Sequence, residues 1–229
     1  MKPIASFLRK LANSSIWQDK IQEKFGIPCA SMEPGEVLDP IILRQTYLIL
    51  DTMPVELVKD CRVSKLVFSN TMGESKPFYP NHGYYYPLDK SVTLNNDIFY
   101  NPDFPDDFYD SNGYRVSRPT QTLVHEFLHG FDAARGEISL KPDWLKLSGW
   151  SETPKPGLKR MVINEPGMPA KVGEWYYKPE PYSGFTRFYA KMNPWDDFSD
   201  SATFFLLGMK NKLPENKNKY FDSLLKKYS

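Results

Sequence analysis

Residues 125–129 read His-Glu-Phe-Leu-His, and no other stretch of the chain restricts its fold as much. Leu123, Val124, Phe127, Leu128 and Phe131 recur at helical spacing around it. Pro119 opens the pattern and Gly136 is a stop, so the spacing predicts a helix from Pro119 to about Ala134. Residues four apart on a helix share a face, so the imidazoles of His125 and His129 can reach one metal ion. The chain has three histidines in 229 residues, the other being His82. At that content an H-E-x-x-H string arises by chance in about one chain in five hundred. Two imidazoles fit zinc best. A catalytic zinc takes three protein ligands and keeps one position for water, so a third ligand must come from outside this helix.

Several residues compete for that place. His82 lies on a loop before a predicted hairpin, and Cys29 and Cys61 lie far upstream. No third histidine follows at the short spacing of a metzincin, so a downstream carboxylate is the natural candidate. The segment 189–201, YAKMNPWDDFSDS, supplies Asp196, Asp197 and Asp200. With Asn193 as N-cap and Pro194 as first helical residue, Asp196 falls at N3 and shares a face with Asp200. An acid at N3 is also favourable simply as a capping residue. Spacing alone does not choose among the three acids.

These two segments together resemble the gluzincin-type zinc peptidases related to the anthrax lethal factor catalytic domain and to a broad set of bacterial zinc-dependent peptidases. The active helix of that group resembles H-E-F-x-H-x-x-D, matched here by His125, Glu126, Phe127, His129 and Asp132. Its downstream pattern resembles Y-x-x-x-N-x-x-E-x-F-A-E, matched here by Tyr189, Asn193, Asp196, Phe198, Ser199 and Asp200. The resemblance covers residues from about 120 to 205. It implies that Asp196 is the third zinc ligand and that Tyr189 is a phenol donor to the transition state. Both motif acids are Asp here rather than Glu. Asp is one methylene shorter, so the downstream helix must approach the metal about an ångström closer.

The chemistry expected of such a site follows from its groups. Zinc activates a water and polarises a carbonyl. Glu126 is the expected general base and then the proton donor to the leaving amine. Tyr189 would donate its hydroxyl to the tetrahedral oxyanion; its competing role is that of a packed aromatic. Asp132 would orient a ligand histidine or stand as an exposed helix acid, and Asp200 would bond to a ligand imidazole.

The rest of the chain reads as α+β. Ile4, Phe7, Leu8 and Leu11 follow a helical period, and a second helix is expected from Ser15, with Ile16, Trp17, Ile21 and Phe25 on one face and Gly26 as its end. Asp39-Pro40 caps a buried helix that Pro54 breaks, with VELVKD as a short continuation. VSKLVFS (63–69) has strand composition, and residues 83–87 and 92–99, joined by a turn at 88–91, read as a hairpin. Residues 101–113 form an acidic, aromatic loop: a solvated surface, a calcium site or a contact for basic substrates. A long Pro/Gly-rich stretch, 137–188, carries hidden strands, EWYYK (174–178) among them. A helix from Asn193 and a final amphipathic helix around Tyr220–Tyr228 complete the chain.

Lys+Arg 29 against Asp+Glu 28 leaves a formal charge of +1, so the basic excess of a nucleic-acid binder is missing. No apolar run reaches the roughly 18 residues of a membrane span. Two cysteines make no disulfide framework, and free thiols are expected. Arg9 and Lys10 interrupt the first apolar stretch, which argues against a Sec signal peptide. The expectation is a protein of the cytoplasm, or one exported by a signal-independent route. The expected architecture is one zincin-like catalytic domain, 1–229, with a helical portion over 1–60 and the sheet, active-site helix and C-terminal helices over 61–229. The expected activity is that of a zinc metalloprotease, an endopeptidase by preference, acting on a protein or peptide. The alternatives are a zincin-fold binding or effector protein with a structural zinc, and a zinc amidase acting on cell-wall peptides.

Overall fold

A computed structural model describes residues 2–70, 82–100, 115–163, 171–179 and 184–228, with the backbone alone for 2–10, 163, 171 and 172. The acidic loop 101–113 lies outside the described residues, as do the side chains of Ile4, Phe7 and Leu8. The protein is α+β, with eight α-helices and two small sheets among the described residues. None of these helices is long and apolar enough to cross a membrane. The chain forms two compact units, Met1–Phe108 with Val116–Phe131, and Tyr109–Arg115 with Asp132–Ser229.

The first unit opens with α1, Lys2–Phe25. One helix stands where two were expected. Ser15 does not cap a new start, because its hydroxyl donates back to the Ala12 carbonyl (2.9 Å) within the continuing helix. Ser14 is buried and donates to the Leu38 carbonyl. Ile21 and Phe25 are buried as expected, whereas Ile16 is exposed. Gly26 ends the helix at φ +77° with its N–H on the Gln22 carbonyl. In α2, Pro40–Asp51, the Asp39 carboxylate accepts from the Ile41 N–H (2.8 Å) and Pro40 occupies the first turn. After Pro54 a short α3, Val55–Asp60, follows.

The sheet of this unit contains β1 (Cys29–Ser31), β2 (Lys65–Ser69), β3 (Gly83–Tyr86) and β4 (Ser91–Asn95), in the order β1-β2-β4-β3. β1, β2 and β4 run parallel, and β3 is an antiparallel edge, Gly83 pairing with Leu94 and Tyr86 with Ser91. β4 is buried along its whole length, as a strand covered on both faces must be. The expected second strand does not continue to Phe99. The Asn95 side chain accepts from the Asp97 N–H (3.0 Å), which turns the chain into α4, Asp97–Tyr100.

The helix carrying residues 125–129 is α5, Arg118–Ala134. Leu123, Val124, Phe127, Leu128 and Phe131 are fully buried. Two glycines set how closely α5 approaches the rest of its unit. A Cβ on Gly83 would lie 2.7 Å from Thr122 Cγ2 and 3.0 Å from Glu126 Cγ, so β3 can pass the helix only without a side chain there. A Cβ on Gly130 would lie 2.7 Å from the Cys61 carbonyl oxygen. Both cysteines are free, Cys61 buried and Cys29 half-buried.

In the second unit, Gly136 (φ +71°) follows the end of α5, and the buried Asp132 carboxylate accepts from the backbone N–H and hydroxyl of Ser139. Asp132 is therefore not an exposed helix acid. The stretch 137–188 contains α6 (Pro142–Ser148) and three strands, β5 (Trp150–Ser151), β6 (Lys159–Ile163) and β7 (Lys171–Tyr177), where one strand was named. They form an antiparallel sheet in the order β5-β7-β6. Then come α7, Pro194–Leu206, and α8, Glu215–Leu224. Trp144, Phe198 and Phe221 pack together in the core, with ring centroids 5.1–5.6 Å apart. Such aromatic pairs contribute about 0.5–1.5 kcal/mol each beyond their buried area.

Candidate metal centre

His125 and His129 stand one turn apart on α5, the first buried and the second partly so. Their Nε2 atoms are 3.0 Å from each other and the rings meet nearly edge to face at 85°. That separation is close to the roughly 3.3 Å between two nitrogens on one tetrahedral metal ion. Both lone pairs can therefore address the same point, as the four-residue spacing predicts.

Asp196 sits at N3 of α7 and is buried. Asn193 is the N-cap: its Oδ1 accepts from the Asp196 N–H at 2.8 Å. Its Nδ2 donates to Asp196 Oδ2 at 2.7 Å. The cap thus also fixes the carboxylate, leaving Oδ1 as the oxygen not engaged by Asn193. One ligand atom from each of His125, His129 and Asp196 lies within 4.8 Å of the other two. This His-His-Asp group could hold a metal ion, and its donor set of two imidazoles and a carboxylate suits zinc. His82, Cys29 and Cys61 are not in the group.

The competing acids have other work. Asp197 is fully buried and accepts from Lys217 Nζ (2.6 Å) and from the Trp150 indole N–H (3.0 Å). Burial pushes the Asp197 carboxyl above its usual range, and the Lys217 ammonium and the indole hydrogen bond oppose that shift. Asp200, also fully buried, takes a two-pronged bond from Arg187: Nε to Oδ2 and Nη2 to Oδ1, both 2.6 Å. Burial pulls the Arg187 pKa down, but the charge and hydrogen bonds of Asp200, with smaller contributions from Tyr189 and Asp196, leave it above its usual value. Glu126, beside the first histidine, is buried against Gly83. Tyr189 begins a 3-10 turn, Tyr189–Lys191, and is 42% exposed, with the Arg187 guanidinium over its ring.

Arg187 and Lys217 are the residues that sequence reasoning missed. Each pairs with its acid across 13 and 20 residues, beyond any local spacing rule. The available signal was indirect: three acids in five positions of an apolar helix demand cations from elsewhere. No protein-family model matches the chain, and no curated protein matches it.

Proposed function

We propose that the protein is a zinc metallopeptidase of the zincin type, with the gluzincin-like ligand set His125, His129 and Asp196. The observation that carries this reading is the convergence of these three ligand atoms within 4.8 Å, two of them on the helix that also presents Glu126. The antiparallel edge strand β3 beside α5 supports it further, because such an edge can take up an extended peptide.

When bound there, zinc supplies a Lewis acid and a water of lowered pKa. Glu126 would be the general base toward the attacking water and then the proton donor to the leaving amine nitrogen. Tyr189 donates its phenolic hydrogen to the oxygen that becomes the oxyanion. Asn193 holds the Asp196 carboxylate at the start of α7, one contact to the Asp196 N–H and one to its Oδ2. The products are the two halves of a cleaved peptide, and an endopeptidase is the preferred form.

The test is zinc per chain by elemental analysis, on wild type and Asp196→Ala purified without chelator. About one zinc in wild type and much less in the variant is expected. A peptide-library screen, with Glu126→Ala as the inactive control, then reads the activity. Wild type without zinc after incubation with the metal would overturn the assignment. Zinc without cleavage would leave a structural metal in a binding protein.

A further inference from the structure

Asp200 lies one helical turn beyond Asp196 on α7, and its carboxylate is wholly buried. Such a group must be paired. Arg187 pairs it with both prongs of its fork, the geometry that gives guanidinium–carboxylate pairs their directional strength. The same guanidinium lies over the ring of Tyr189, its carbon 5.2 Å from the ring centroid. Arg187 is two residues before Tyr189, so one side chain ties the turn bearing the phenol to the helix bearing the proposed third ligand.

From this arrangement we infer that Arg187, locked by Asp200, is a positioning residue that orients the Tyr189 ring relative to Asp196. The inference rests on the reading of Tyr189 as the oxyanion donor. Tyr189 is exposed and sits on a three-residue turn, so its direction is set by what its ring lies against. A phenol displaced by an ångström loses most of its hold on a developing charge. Lysine at 187 would keep the charge but lack the fork that fixes the plane.

The test uses the full chain labelled with 3-fluorotyrosine, the Tyr189 resonance being assigned by its disappearance in Tyr189→Phe. Arg187→Met strands the Asp200 carboxylate and destabilises the fold, so the principal variant is Arg187→Met/Asp200→Leu, which removes both members of this pair. The Tyr189 line is expected to move toward the position of free fluorotyrosine and to narrow. Zinc content should stay near one per chain. On any peptide the wild type cleaves, kcat should fall about 10- to 100-fold with KM little changed. The same change made in Tyr189→Phe should cost little more, and Arg187→Lys should recover only a small part. An unmoved fluorine line, or an undiminished loss in the Tyr189→Phe background, would overturn the inference. If the wild type binds zinc and cleaves nothing, the peptidase reading fails while the fluorine line still decides the clamp.

Discussion

Replacing Lys217 by Met should destabilise the second unit by about 3–5 kcal/mol, because it strands a buried charge. Lys217 and Asp197 are 2.6 Å apart, with side chains 1% and 0% exposed. In the variant, Asp197 keeps the indole N–H of Trp150 and loses its only bonded ammonium among the described contacts. Most of the loss is desolvation of the orphaned carboxylate rather than the worth of the pair. Lys217→Met/Asp197→Leu should therefore return to within about 1–2 kcal/mol of wild type. The pH dependence has a definite sign. Burial already raises the Asp197 pKa, and losing the ammonium raises it further. A carboxyl with a raised folded pKa contributes stability that is present below the unfolded value of about 3.9 and is lost as pH rises through the folded value. The single variant should accordingly be closest to wild type in mild acid and furthest from it near pH 7–8. Urea unfolding followed by tryptophan fluorescence reads this directly, since Trp144 and Trp150 adjoin the pair. A loss below about 1 kcal/mol at pH 7, or a double variant as unstable as the sum of the singles, would refute the argument.

Other consequences are simpler to check. Gly130→Ala would set a methyl group 2.7 Å from the Cys61 carbonyl oxygen and should cost about 1–3 kcal/mol in a thermal melt. Gly83→Ala would press on Thr122 and Glu126; peptide cleavage should fall while zinc content holds. Asn193→Ala removes a cap, costing about 1 kcal/mol, and frees Asp196, so zinc should be lost to chelator about tenfold more readily. Burial raises Cys29 to about 12, and burial with the Asp39 hydrogen bond raises Tyr100 to about 12. Their contributions to stability are fully present below the unfolded values of about 8.5 and 10 and are lost as pH rises toward 12, so the urea midpoint should fall across that range.

The parts of the fold written in local pattern were legible. α5 showed in its apolar period, α2 in Asp39-Pro40 and α7 in Asn193-Pro194, and these caps form as the residue types require. Local pattern misled where a side chain had two uses. Ser15 reads as a cap but bonds backward within α1, and Asn95, the last residue of β4, also starts the turn that stops the strand short of Phe99. The parallel pairing of β1, β2 and β4 was not legible, because register between distant strands is fixed by burial and not by neighbours in sequence. At the site, His125 and His129 were fixed by helical spacing, whereas three nearby acids were equivalent until their partners were known.

Those partners explain how α7 carries Asp196, Asp197 and Asp200 buried within five residues. The helix N-terminus offsets part of the charge of the first two. Each acid then meets a different group: Asn193 for Asp196, Lys217 for Asp197, Arg187 for Asp200. Asp197 and Asp200 each bond to a cation, and Asp196 is oriented by the Asn193 amide. Of the three, it is the one whose ligand oxygen lies with the ligand nitrogens of His125 and His129. Substituting Asn at each position should therefore separate three phenotypes. Asp196→Asn should lose zinc with little change in the urea midpoint. Asp197→Asn should lower the midpoint with zinc retained. Asp200→Asn should keep zinc and loosen the Tyr189 ring. If Asp197→Asn rather than Asp196→Asn emptied the protein of zinc, the division of labour along this helix would be wrong.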